Sequence, residues 1–139
     1  MAISSYLVFA LLAGAMLPIQ FGINAQLATW VGGSIRAAFV SFVVGAAALL
    51  VAVLVAQRGL PDRAGDAPWW VWIGGVLGAF YVLGSIVTAP KLGAATLVAL
   101  ILAGQAIASL LVDHYGWVGF EENPITPLRL LGVALLAGG

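Results

Sequence analysis

Long apolar runs without a single charge set the pattern of this chain. No Asp, Glu, Lys or Arg occurs in residues 1–35, 37–57, 67–90 or 92–112. Each run reaches the roughly 18–20 apolar residues that carry a helix across a ~30 Å hydrocarbon core. None alternates with the period of two that marks a membrane β-barrel. The runs predict membrane-spanning helices at about 5–30, 36–57, 68–88 and 91–112. A fifth opens near 127–139, where Pro127 suits a first helical turn. Only ten residues follow Arg129, so the expectation is a last helix whose tail is missing from the sequence. The expected fold is all-α: one transmembrane domain over 1–139, a polytopic bundle with five helices per protomer.

Polar punctuation falls where these helices should end. Residues 30–34, WVGGS, read as a short glycine-rich turn, and RGLPDRAGDAP (58–68) as a polar loop with turn-forming Pro and Gly. Trp69, Trp70 and Trp72 then read as an aromatic belt at headgroup level, and Tyr115 and Trp117 as further interface anchors. Ala89-Pro90-Lys91 reads as a tight turn or helix break between the third and fourth spans.

Composition changes the picture by exclusion. The chain is 63% hydrophobic and 7% charged with zero net charge, against about 25% charged residues in a soluble domain. Absence of cysteine removes disulfides, thiolate metal sites and thiol catalysis. A single histidine cannot assemble a metal site or a hydrolytic triad, so neither enzyme activity nor a cofactor is expected. No basic block offers a footprint for nucleic acid. The first segment lacks a positive leading region and its apolar run is too long for a signal peptide, despite Ala-Gly-Ala at 13–15.

Orientation is weakly specified. Arg58, Arg63 and Arg129 fall on one expected side, Arg36 and Lys91 on the other, so the positive-inside rule has almost nothing to act on. Either the chain inserts one way on a weak signal, or it inserts both ways and pairs head-to-tail with a second copy of itself. Two inverted copies would reproduce the inverted-repeat plan of many secondary transporters.

Helical faces supply the candidate chemistry. On the third helix Gly74, Gly78, Tyr81, Ser85 and Thr88 share an arc of about 80°. It reads as a packing face of small residues, with Gly74 and Gly78 as contact points, or as a cavity wall carrying Tyr81 and Ser85. On the first helix Gln20 and Asn24 lie about 40° apart, and Gly14, Pro18, Gly22 and Gln26 form a separate stripe. Amides in hydrocarbon must face protein or water. Gln20 and Asn24 therefore either bond between helices or cradle a ligand. Gln105 with Ser109 repeats the pattern on the fourth helix. Ala37, Ser41, Gly45, Ala48 and Ala52 read as a packing seam of the second. Arg36 and Lys91, at span ends, either snorkel to headgroups or point into a vestibule. Asp113-His114 reads as an interfacial turn.

The stretches PIQFGINAQL (18–27), GGSIRAAFVSFVVGAAAL (32–49) and TAPKLGAATLVALILAGQAIASLLVDHYG (88–116) resemble the YdcZ-type family of bacterial inner-membrane proteins. This is a five-helix branch of the drug/metabolite transporter superfamily, related to small multidrug resistance proteins. The resemblance implies a bacterial inner-membrane transporter, with members occurring as dual-topology homodimers, paired genes or fused duplicates. It does not carry over proton/cation antiport. The small multidrug resistance exporters use a first-helix carboxylate, and this first helix offers Gln20 and Asn24 instead. A cavity of amides, hydroxyls and tyrosine would suit a small polar or amphipathic solute. The expected function is a small-molecule secondary transporter formed by an antiparallel homodimer in contact with membrane lipid. A passive channel on the same pairing and a non-transporting accessory subunit are the alternatives.

Overall fold

A computed structural model describes residues 3–56 and 64–138 as helices joined by short connections. Five α-helices run in order: α1 (Ile3–Val31), α2 (Ser34–Ala56), α3 (Ile73–Leu92), α4 (Ala94–Tyr115) and α5 (Pro127–Gly138). Single 3-10 turns occupy Ala64–Asp66, Trp69–Trp72 and Trp117–Gly119. Four helical stretches are long and apolar enough to cross a membrane, the third counted from Trp69, and α5 is a shorter apolar helix. Arg58, Arg63 and most of the 58–68 loop lie outside the described residues.

The chain divides into two compact units, Met1–Lys91 and Leu92–Gly139. In the first, α1 and α2 form a helical hairpin. Gly32 and Gly33 take φ of +78° and +142°, a backbone that side-chain-bearing residues avoid. The Gly33 N–H closes back on the Ala28 carbonyl at 2.9 Å, ending α1, while the Gly33 carbonyl accepts from Ala37 at 3.1 Å, starting α2. Two residues thus reverse the chain. Ala37 and Ala38 of α2 are buried against Val82 and Ile86 of α3, with Leu27, Ala28, Val31, Tyr81 and Leu83 packed around them. Alanine permits this close approach because it has no side chain beyond Cβ. Phe21 and Asn24 of α1 are buried, whereas Tyr6, Phe9, Leu49 and Leu50 are exposed. The core of this unit sits toward the Gly32–Gly33 turn.

The second unit packs α4 against α5. Gly116 ends α4 in the left-handed conformation at φ 60°, and Val118 is a rare non-glycine at positive φ, 52°. Thr126 caps α5: its hydroxyl accepts from the Arg129 N–H at 3.3 Å and its carbonyl from Leu130 at 3.0 Å. Pro127 occupies the first turn, as the sequence led us to expect.

One boundary differs from expectation. Pro90 does not break the chain; it lies inside α3, which continues to Leu92. The turn falls at Gly93, φ 76°. Proline removes one backbone donor and can be carried in a membrane helix. The break between the two helices takes a φ that glycine supplies freely.

Candidate functional site

The polar groups of the first unit collect on the second half of α1 and the facing stretch of α3. Asn24 is 3% exposed and Ser85 is 3% exposed. The Ser85 hydroxyl donates to the Val82 carbonyl of its own helix at 2.8 Å, and Thr88 does the same to Gly84 at 2.7 Å. These hydroxyls are satisfied locally, as serine and threonine can be in membrane helices. Two buried atoms are not satisfied: Asn24 Nδ2 and the Tyr81 hydroxyl oxygen have no hydrogen-bond partner. A buried donor left unpaired costs about 1–3 kcal/mol. Such groups are few in native proteins, and each asks for a partner or a bound water. The Tyr81 ring meets Phe21 edge-on, centroids 6.1 Å apart, and Phe21 precedes Asn24 by one turn of α1.

The same unit carries a groove of about 270 Å³ lined by Gln20, Ser41, Phe42, Gly45, Ala46, Leu49 and Val82. Its polar groups come from α1 and α2. The sequence places Gln20 and Asn24 on one face, yet the structure separates their roles. Asn24 turns into the core, and Gln20, about 40° around the helix, stays exposed at the groove. Ser41 and Gly45, expected in a packing seam, instead border this open groove.

Within one chain the expected packing glycines differ in their surroundings. A methyl group added at Gly14, Gly22, Gly45 or Gly74 would meet nothing within 4 Å. Gly45 has this room because it borders the groove between Gln20 and Val82. Gly78 alone of the expected packing glycines has a close neighbour: its added Cβ would lie 3.5 Å from Phe42 Cζ.

The candidate vestibule charges are both exposed. Arg36 folds back to donate from Nη1 to the Val31 carbonyl at 3.3 Å, satisfying an orphan acceptor at the end of α1. It borders a groove of about 640 Å³ with Gly32, Gly33, Ser34, Leu83 and Val87. Lys91 sits in the last turn of α3, where a cation suits the helix dipole. Gln105 belongs to the other unit and is exposed on α4.

A second polar cluster escaped the sequence. Arg129 of α5 forms an ion pair with Asp113 of α4 and also donates to the Asn123 carbonyl at 2.8 Å. The Asn123 N–H returns to the Asp113 carbonyl at 2.7 Å. His114 Nδ1 accepts from the Ile125 N–H at 3.3 Å. No local signal announces a pair sixteen positions apart. Among the described residues, no group of three or more His, Asp or Glu converges as a metal site would require.

Comparison with known proteins fits this architecture. Residues 5–139 match the family model described as "Putative inner membrane exporter, YdcZ". The chain belongs to this family. Inner membrane protein YdcZ of Escherichia coli (strain K12) is 30% identical over 128 residues, spanning 90% of this chain and 81% of that protein. No solved structure matches. A YdcZ-family chain with four helices long and apolar enough to cross a membrane is an inner-membrane protein, and the family's description makes it a membrane transporter.

Proposed function

We propose that this YdcZ-family chain is a small-molecule secondary transporter working as an antiparallel homodimer, its two copies jointly lining a central cavity. The observation that carries this reading is the largely apolar groove whose polar groups, Gln20 and Ser41, are open to the surroundings of two membrane-length helices. An amide and a hydroxyl facing lipid would cost several kcal/mol at worst. A second copy set against the groove would supply them with partners or water and enclose what one chain leaves open. Near-balance of Lys and Arg between the two expected sides supports insertion in both orientations. The substrate-facing groups in this reading are Gln20, Asn24, Tyr81, Ser85 and Gln105, with Arg36 and Lys91 at the cavity mouths.

Absence of native cysteine makes the test clean. In Ser34→Cys, at the α1–α2 turn, a membrane-impermeant maleimide should label about half of the chains from outside intact cells, with the rest labelled only after permeabilisation. Labelling from one side alone contradicts the inverted pair. In proteoliposomes, counterflow screened over small polar metabolites should saturate for at least one of them; flux that only grows linearly with gradient contradicts a carrier.

A further inference from the structure

A second groove on the unit Met1–Lys91 changes character along its length, and the change describes what fits it. Its inner part, about 500 Å³, is lined by apolar side chains of α2 and α3 alone. From α2 come Ile35, Ala38, Phe39 and Phe42, spaced i, i+3, i+4, i+7, so they form one stripe of the helix. From α3 the same spacing runs from Val76 to Leu83. Two stripes of seven steps make a channel about 10 Å long at 1.5 Å per residue. Ala38 and Ala79 leave it open, since neither has a side chain beyond Cβ, and the adjacent Phe39 and Phe80 are 69% and 78% exposed.

Ile35 and Leu83 also line the groove that Arg36 borders, so the two grooves run into one another. At this end the chemistry turns cationic. The Arg36 guanidinium lies over Gly32, whose added Cβ would come 2.9 Å from Nη1. It donates one of its five N–H groups to the Val31 carbonyl. Among the described residues it has no ion-pair partner, and no Asp or Glu occurs in residues 1–61 or 67–112.

An occupant of the whole groove must carry an anion at one end and about 10 Å of hydrocarbon behind it. Helices of membrane length place the groove in a bilayer, where half of the ~30 Å core takes such a chain and leaves the anion at headgroup level. A second copy would bring apolar helices but no free anion with them, because Asp113, at the end of α4, is committed to Arg129. A zwitterionic lipid brings its own cation to the arginine; an anionic one does not.

We propose that this groove seats an anionic phospholipid, its phosphate on Arg36 and one acyl chain between Phe39 and Phe80. The site goes beyond the transport reading and does not rest on it: counterflow can fail while the lipid binds, and the reverse.

Thermal unfolding of the purified full chain in mild detergent, with added phosphatidylglycerol, phosphatidylcholine or soluble glycerol 3-phosphate, tests it. Phosphatidylglycerol should raise the melting temperature saturably and at a lower mole fraction than phosphatidylcholine, and glycerol 3-phosphate should leave it unmoved. Arg36→Gln should weaken half-saturation by phosphatidylglycerol roughly fivefold, the effect of one basic group at a lipid surface. Lys91→Gln removes the other described cation of this unit, which lines neither groove, and should change nothing. Ala79→Phe fills the channel at an exposed position. It should abolish the preference and keep the lipid-free melting temperature. Equal protection by the two lipids, an equal loss in Lys91→Gln, or a preference that survives Arg36→Gln or Ala79→Phe overturns the proposal. Protection by glycerol 3-phosphate overturns it in favour of a free anion. A smaller assembly for lipid-free Ala79→Phe on size exclusion overturns it in favour of a second copy in the channel.

Discussion

The two units of this chain treat polar side chains in opposite ways. In Met1–Lys91 every side-chain hydrogen bond among the described residues is local. Thr29, Arg36, Ser85 and Thr88 reach carbonyls three to five positions away, while the Asn24 amide and Tyr81 hydroxyl reach nothing. In Leu92–Gly139 the polar groups tie separate elements together: Asp113 to Arg129, Arg129 to Asn123, His114 to Ile125. Bonds that bridge elements fix a structure. Donors left unpaired in an apolar core destabilise it, and persist where something else uses them. The contrast separates a unit whose polar groups hold its elements together from one whose polar groups do not.

The largest effect that sharpens this contrast is expected at Gly116. Alanine there must adopt φ near +60° and place Cβ 2.8 Å from Glu122 Cγ and 3.3 Å from the Phe120 carbonyl. The left-handed backbone alone costs about 1–2 kcal/mol. Gly116→Ala should therefore destabilise by about 2 kcal/mol or more in a denaturation titration in mixed micelles. An equal stability would mean that the 116–126 connection does not hold the second unit.

Breaking the clasp comes next. Arg129→Met removes the ion pair and the bond to Asn123 together, leaving Asp113 partly buried. Both side chains keep more than a quarter of their surface exposed, so solvent screening limits the loss to about 1–2 kcal/mol. High salt should shrink the difference between variant and parent. The smallest effect belongs to Ser85→Ala. The hydroxyl serves a carbonyl of its own helix, and alanine is the better helix former, so stability should move by no more than about 0.5 kcal/mol. A larger loss would mean that Ser85 serves a neighbour beyond its own helix.

How much of this was legible in the sequence depends on whether a feature is local. Uncharged runs announced the helices because hydrocarbon tolerates little else. Thr126-Pro127 announced the start of α5 through a cap and a first-turn proline. Pro90 misled because proline's local cost was weighed without the stronger demand at Gly93, where the chain must take a positive φ. The amide pair Gln20 and Asn24 was visible as a face. Which of the two would be buried depended on where α3 packs, and periodicity along α1 carries no information about that. Small residues at Gly14, Gly22, Gly45 and Gly74 read as seams by composition, and within one chain a methyl group at each would meet nothing within 4 Å. The Asp113–Arg129 pair depended on the return of α5 along α4 and had no sequence signature at all.

One paired measurement tests the central claim most directly. Asn24→Leu/Tyr81→Phe and Asp113→Ala/Arg129→Ala are compared for melting temperature in detergent. The account predicts that the first double variant keeps its stability, because unpaired buried groups are removed, while the second loses it. A first variant that loses stability while the second keeps it would contradict the division of labour between the two units.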